Sequence, residues 1–416
     1  MSTTKISRPF DTRTDATLQQ LDTTGQYKHL HMLDSPMDAV VRMRQSDGAY
    51  RDTLCFCSNN YLGLANHPEV VQAGIDGLKK YGAGTASVRF ICGTFEPHET
   101  LERTIAKYMG TESSYTFVSC WTATEAFFPT VSEAGDIIIS DELNHACIID
   151  AMRLTPVIKK GVHKAVFKHS DMGDARAKLQ AAVQNPDVTG QIWVITDGVF
   201  SMEGDIAKLP ELRALCDEFG AMLVVDDSHG HGVMGTTGRG IHEHYNMLPG
   251  VSGFDASRGA VDFFTGTLGK ALGGGAGGFV AGSKRCTELL IQRGRPTLFS
   301  NALPVTVACS ANKAIEILMN EPQRVQKLRD NVAYARKGIK SAGFDVLESP
   351  TAICPIIVGE TATAISMSKK LLEMGVFVIG FGYPVVPEGE ARLRVQISAA
   401  HTTEHLDELV GALRRL

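Results

Sequence analysis

Short apolar runs alternate with amphipathic stretches through the middle of the chain. The runs Thr116–Cys120, Asp136–Ser140, Ala165–His169, Ile192–Thr196, Met222–Asp226 and Phe263–Thr267 are too short for helices and lack strict polar alternation. That pattern predicts strands buried on both faces. His98–Tyr108, Asp174–Val183 and Leu209–Phe219 carry apolar residues at the helical period instead. Alternating β and α signals predict βαβ units, hence an α/β fold with a mostly parallel sheet flanked by helices.

Past residue 300 the rhythm changes. A long helical region over Pro304–Ala342 precedes a strand at Cys354–Val358, a helix near Ala362–Met374, and strands around Val376–Ile379 and Arg392–Ile397. This predicts an N-terminal arm with its own helix over residues 1–60, a large domain over 61–300, and a smaller α+β C-terminal domain over 301–416. No repeat or biased linker divides the chain.

Composition narrows the function classes. A chain of 416 residues, 44% hydrophobic and 21% charged, can bury a large core without disulfides or a structural metal. Its 41 Lys+Arg against 46 Asp+Glu give a net charge of -5, which offers no footprint for nucleic acid. No apolar run approaches the ~18 residues that span a bilayer. The opening MSTTKISRPFDTRTD lacks the apolar core of a signal peptide, so a cytoplasmic protein is expected. The nine cysteines are odd in number and scattered. Cys55 and Cys57 would share one side of a strand, yet no second CxxC or HxxxH accompanies them, so buried reduced thiols are expected rather than a metal centre.

In an open α/β sheet, ligands bind at the carboxyl ends of the strands, and there this sequence is informative. Met222–Val225 runs into Asp226-Asp227-Ser228-His229-Gly230-His231-Gly232. Phe263–Thr265 runs into Gly266-Thr267-Leu268-Gly269-Lys270 and a glycine-rich stretch, and Ile192–Thr196 runs into Asp197-Gly198-Val199-Phe200-Ser201. A phosphate-binding P-loop needs its Lys after the glycines and before Ser or Thr, whereas Lys270 precedes them and is followed by Ala271. No early βα turn carries a dinucleotide GxGxxG. A lysine at a strand end beside hydroxyls and glycines suits condensation with a cofactor aldehyde, provided its amine is kept free by burial or neighbouring charge. A carboxylate one βαβ interval away, Asp226, suits the pyridinium nitrogen of pyridoxal phosphate (PLP), whose electron sink depends on that proton.

These segments resemble the α-oxoamine synthase family of fold-type I PLP enzymes, from about Leu54 to the C-terminus. The carriers are FCSNNYLGLANHP, ASVRFICGT, ISDELNHACIIDAMR, TDGVFSMEGDIA, VVDDSHGHGV, GTLGKALGG, RPTLFSNAL and GYPVVPEGEARLRVQISAAHT. The ASVRFICGT, FSNAL and SAAHT blocks point to the ligase branch, which condenses glycine with acetyl-CoA to give 2-amino-3-oxobutanoate and CoA. The resemblance implies that Lys270 carries the cofactor and abstracts the α-proton, that Asp226 pairs with the ring nitrogen, and that His229 bonds the ring hydroxyl. It implies that His145 stacks on the ring and donates to an oxyanion. Thr267 and the backbone at Cys120 and Trp121 would hold the phosphate, completed by Ser300 of a neighbouring subunit in a homodimer. Ser201 would lie beside the ring hydroxyl or substrate, and Arg394 and Asn59 would bind the substrate carboxylate. Arg392, on the same strand face as Arg394, is expected to be a solvated or inter-domain ion-pairing residue.

Departures from the branch concentrate near the phosphate. Where its pattern is SSCFDANGG, this chain reads VSCWTATEA, with Trp121, Thr122 and Thr124 in place of Phe, Asp and Asn. Two readings stand: neutral repacking, or a pocket reshaped for another acyl chain or amino acid. His231 replaces a usual Val and is expected to face solvent, the alternative being an imidazole near the ring that titrates near neutrality. Other readings of the whole are a decarboxylating synthase that loses CO2, and a PLP aldolase or aminotransferase that uses no thioester.

Overall fold

A computed structural model describes residues 8–248 and 259–416 of the chain; the start of the expected N-terminal arm lies outside them. A seven-stranded sheet runs in the order Ser113–Phe117, Gly278–Gly282, Phe263–Thr267, Met222–Asp226, Ile192–Asp197, Ile137–Asp141, His163–Phe167. The last five are mutually parallel and Gly278–Gly282 is antiparallel to both its neighbours. The mixed sheet with a parallel centre and flanking helices is the architecture that the resemblance implies. Leu223, Val224 and Val225 are fully buried, consistent with a strand covered on both faces.

Expected strands and helices are found with small displacements. Met222–Asp226, Phe263–Thr267 and Leu209–Phe219 fall where the pattern put them. The expected Thr116–Cys120 strand stops at Phe117 because Ser119 caps the helix Cys120–Val131, its Oγ accepting the N–H of Thr122 at 3.1 Å. The single helical region expected over Pro304–Ala342 is two helices, Val305–Asn320 and Gln323–Ser341. Pro322 disfavours helical backbone at Glu321, which sits at φ -124°, ψ 62°.

The expected strand Val376–Ile379 divides between two small sheets. Val376–Phe377 pairs in parallel with Tyr50–Cys55, itself paired with Val40–Arg44. Ile379–Phe381 and Ile353–Gly359 flank Ala391–Gln396 in a second, antiparallel sheet. The second sheet carries Arg392 and Arg394 towards the large sheet's carboxyl edge. Among the described residues no helix is long and apolar enough to cross a membrane, and the nine cysteines are free thiols.

Candidate active site

Strand register assembles the site. Asp197 and Asp226 are direct partners on neighbouring strands, and Thr265 pairs with Asp226 on the other side. The strands end together, so Asp226, Asp197 and the Thr267–Lys270 loop meet at one edge. There a cavity of about 220 Å³ is lined by Cys120, Trp121, His145, Asp226, His229, Thr267 and Lys270, seven residues singled out in the sequence. Asp197, Ser228 and Cys147 also line it.

Asp226 is buried, and its carboxylate is fixed from two sides. Oδ1 accepts the N–H of Ser228 at 3.0 Å, and Oδ2 accepts the thiol of Cys120 at 3.3 Å. Beside it Asp197 Oδ2 accepts the N–H of His145 at 3.0 Å. Burial pushes the Asp197 carboxyl well above its ordinary range and the neighbouring Asp226 charge adds to this. Burial lowers the pKa of the Lys270 amine, with the Asp226 charge opposing. The net direction is towards the free base that a nucleophilic lysine needs.

His145 caps the helix Ala146–Ile158, its Nδ1 accepting the N–H of Cys147 at 3.2 Å. Nδ1 is thus an acceptor, leaving Nε2 as the N–H donor of the neutral ring. Burial lowers its pKa, Asp226 opposes, and Lys270 lowers it further. Trp121 packs edge-on against it, ring centroids 6.1 Å apart, with its indole N–H donated to Glu125 at 2.8 Å.

One side of the cavity is a helix start. The strand Gly278–Gly282 approaches so closely that a Cβ at Gly278 would lie 2.2 Å from the backbone nitrogen of Cys120. Glycine there lets the helix N-terminus open onto the cavity, where backbone N–H groups and the helix dipole favour an anion. Thr267 Oγ1 accepts the N–H of Gly269 at 3.0 Å and turns the loop that carries Lys270. Ser300 lies outside the Lys270 cavity, lining a separate small one with Thr122 and Arg89.

From His229, which lines the cavity, a hydrogen-bonded chain runs to Arg394 and Asn59 through two residues that the sequence reading did not contain, Tyr61 and Gln396. Arg394 Nη2 donates to Gln396 Oε1 at 3.2 Å, and Gln396 Nε2 donates to Tyr61 Oη at 2.8 Å and Asn59 Oδ1 at 2.6 Å. Tyr61 Oη lies 2.8 Å from His229 Nδ1. Both missed residues carried a signal: Tyr61 sits inside the NNYLG block, and Gln396 follows Arg392 and Arg394 at the strand period of two. Arg394 Nη1 donates to the carbonyl of Ser201 at 3.0 Å. Its Nε is buried without a hydrogen bond, and the guanidinium lies 4.9 Å over the Phe381 ring. Arg392 is ion-paired, at 3.2 Å to Glu203 and 3.1 Å to Glu390.

His231 corrects an expectation. It is 1% exposed, stacks on Phe279 at 5.5 Å, and neither ring nitrogen is hydrogen-bonded. It therefore neither faces solvent nor titrates near neutrality: burial lowers its pKa to about 3. Burial likewise lowers His242 and His401 to about 4. The unfolded chain takes up these protons near pH 6.5 while the folded protein does not. Their stability contribution is therefore present above about pH 6.5 and lost as pH falls towards 4. Thermal unfolding should show a fall worth about 1 kcal/mol per histidine per pH unit in that window, reduced in His231→Leu; a melting temperature flat from pH 6.5 to 4 would contradict it.

The donor set is that of a PLP site: a lysine amine of lowered pKa, a buried carboxylate, two imidazoles, and a helix start with a hydroxyl for an anion. Comparison with known proteins agrees. Residues 51–413 match the model of the aminotransferase class I and II family. The 8-amino-7-oxononanoate synthase of Alkaliphilus metalliredigens is 41% identical over 96% of this chain and 95% of its own. The 2-amino-3-ketobutyrate coenzyme A ligase of Homo sapiens is also 41% identical, over 95% of this chain and 89% of its own. The serine palmitoyltransferase of Sphingomonas wittichii superposes with a TM-score of 0.86 at 28% identity, covering 98% of this chain and 96% of its own. The cofactor is pyridoxal phosphate, and this chain belongs to the α-oxoamine synthases within the class I and II aminotransferase family.

Proposed function

We propose that this enzyme condenses glycine with acetyl-CoA, releasing CoA and 2-amino-3-oxobutanoate with its carboxylate retained. The chemistry rests on one observation, the Lys270 amine lining the same cavity as Asp226, with its pKa lowered. Bound PLP supplies an electron sink for the pair left on the α-carbon. Asp226 keeps a proton on the ring nitrogen. Arg394, linked to Asn59 through Gln396, would grip the α-carboxylate; its buried Nε has no hydrogen bond to give up first. Lys270 would take the α-proton of the bound amino acid. His145 donates from Nε2 to the oxygen that becomes negative when the thioester carbonyl is attacked.

Trp121 lines the cavity, its indole bonded to Glu125 and packed against His145. His229 and Ser201 complete the side of the ring hydroxyl, and Thr267 with the Cys120–Trp121 backbone takes the phosphate. We place Ser300 in the phosphate cup of the neighbouring subunit of a homodimer; full activity in a monomer would contradict that. The second reading, a decarboxylating synthase, is favoured by the 8-amino-7-oxononanoate synthases, as similar to this chain as the ligases are.

A grid of amino acids against acyl thioesters, read by thiol release and product mass, separates these readings. Glycine with acetyl-CoA should give thiol and a product of the summed mass with its carboxylate. Release of CO2 with another pair would select the decarboxylating synthase. Absence of thiol release with every pair would move the assignment to an aldolase or aminotransferase.

A further inference from the structure

Beyond the cavity, at the carboxyl end of the edge strand His163–Phe167, a histidine is held between two carboxylates. His169 Nδ1 lies 3.0 Å from Asp141 Oδ1 and Nε2 lies 2.8 Å from Asp205 Oδ2, with Phe200 edge-on at 4.4 Å. An imidazole that meets a carboxylate through each nitrogen donates twice, so it is the cation that fits. Burial works against that cation, but the hydrogen bonds and charges of Asp141 and Asp205 outweigh it and raise the pKa to about 10. Also facing this region are Glu142, which accepts the backbone N–H of His169 at 2.9 Å, Glu203, and Lys208, whose ammonium donates to the Ser170 carbonyl at 2.9 Å.

Asp205 belongs to the turn that leaves the strand Ile192–Asp197. The turn is closed by Phe200 N–H to the Asp205 carbonyl at 3.0 Å and Gly204 N–H to the Phe200 carbonyl at 2.8 Å. Its other side presents carbonyls to the second small sheet: Ser201 to Arg394 and Met202 to Arg392, each at 3.0 Å. The same turn, residues 200–205, is therefore pinned on one side by His169 and bonded to Arg394 on the other.

We propose that His169 is a positioning residue: by clamping Asp205 to Asp141 it fixes the turn whose Ser201 carbonyl aims Arg394 at the substrate carboxylate. This rests on the assignment of Arg394 as the carboxylate clamp. The stabilisation from the His169 bridge is complete below about pH 6.5 and is lost as pH rises through about 10, because the folded pKa of His169 is raised.

Two measurements test this. The first titrates the PLP-loaded enzyme with glycine, or with the amino acid that the substrate grid selects, and follows the visible absorption. His169→Asn should weaken amino-acid binding about tenfold, equivalent to about 1.4 kcal/mol, with the KM for the thioester unchanged. Asp205→Asn should do the same, and it carries the test if His169→Asn does not fold. Arg394→Lys is the control. If Arg394→Lys weakens binding while His169→Asn and Asp205→Asn leave it within about twofold, the positioning role is overturned and the clamp stands. If Arg394→Lys also leaves binding unchanged, the clamp assignment itself fails. The second measurement is thermal unfolding of the cofactor-free protein from pH 6.5 to 10. The unmodified chain should lose stability across that window and His169→Asn should lose less; equal slopes would overturn the cationic bridge.

Discussion

Lys270→Ala should abolish turnover, by at least about 10³-fold, while the melting temperature stays close to that of the unmodified protein. The size follows from the two tasks assigned to one amine, holding the cofactor and moving the α-proton; general-base catalysis alone is worth about 10²–10⁴-fold. The fold should survive because Lys270 lies in the loop after the strand Phe263–Thr267 and its ammonium is disfavoured by burial. Removing a group that is desolvated against its preference costs the native state little. Steady-state rates and thermal unfolding on the same preparation check this. Activity within tenfold of the unmodified enzyme would remove Lys270 from the chemistry.

Asp226→Asn should be nearly as severe, about 10²–10³-fold in kcat, through electrostatics rather than proton transfer. A neutral amide in the same place cannot hold a proton on the ring nitrogen, so the electron sink weakens. The surroundings change in readable directions. Asp197 loses the neighbouring charge that helps raise its pKa, and Lys270 loses the carboxylate that opposes its desolvation. The acidic limb of the rate profile should shift accordingly. Equal kcat in Asp226→Asn and the unmodified enzyme would show that the carboxylate serves folding only.

The central strands were legible because both their faces are buried, which leaves a continuous apolar run that polar breaks delimit. Gly278–Gly282 was not read as a strand: it begins and ends in glycine, follows a glycine-rich loop, and is specified by pairing on both sides rather than by its own pattern. Lys270 and Asp226 could be found from sequence because strand ends of an α/β sheet converge whatever the helices between them do. The hydrogen-bonded chain through Tyr61, Gln396 and Arg394 joins residues more than 300 positions apart, and only the resemblance pointed to Arg394. His231 was misjudged because a histidine amid glycines after a catalytic loop reads as exposed. In the fold Gly266 opposes it so closely that a Cβ would lie 2.7 Å from its Nδ1, so it is enclosed. The bridge of His169 to Asp141 and Asp205 was invisible for the same reason as that chain, since its partners come from separate strand ends.

The central claim is that Lys270 removes a proton from the α-carbon of an amino acid whose carboxylate Arg394 holds. Proton NMR of glycine incubated in D2O with the PLP-loaded enzyme, without thioester, tests it most directly. Loss of one α-proton signal with the carboxylate retained, absent in Lys270→Ala, is the result expected. No exchange in the unmodified enzyme, or equal exchange in Lys270→Ala, would contradict it.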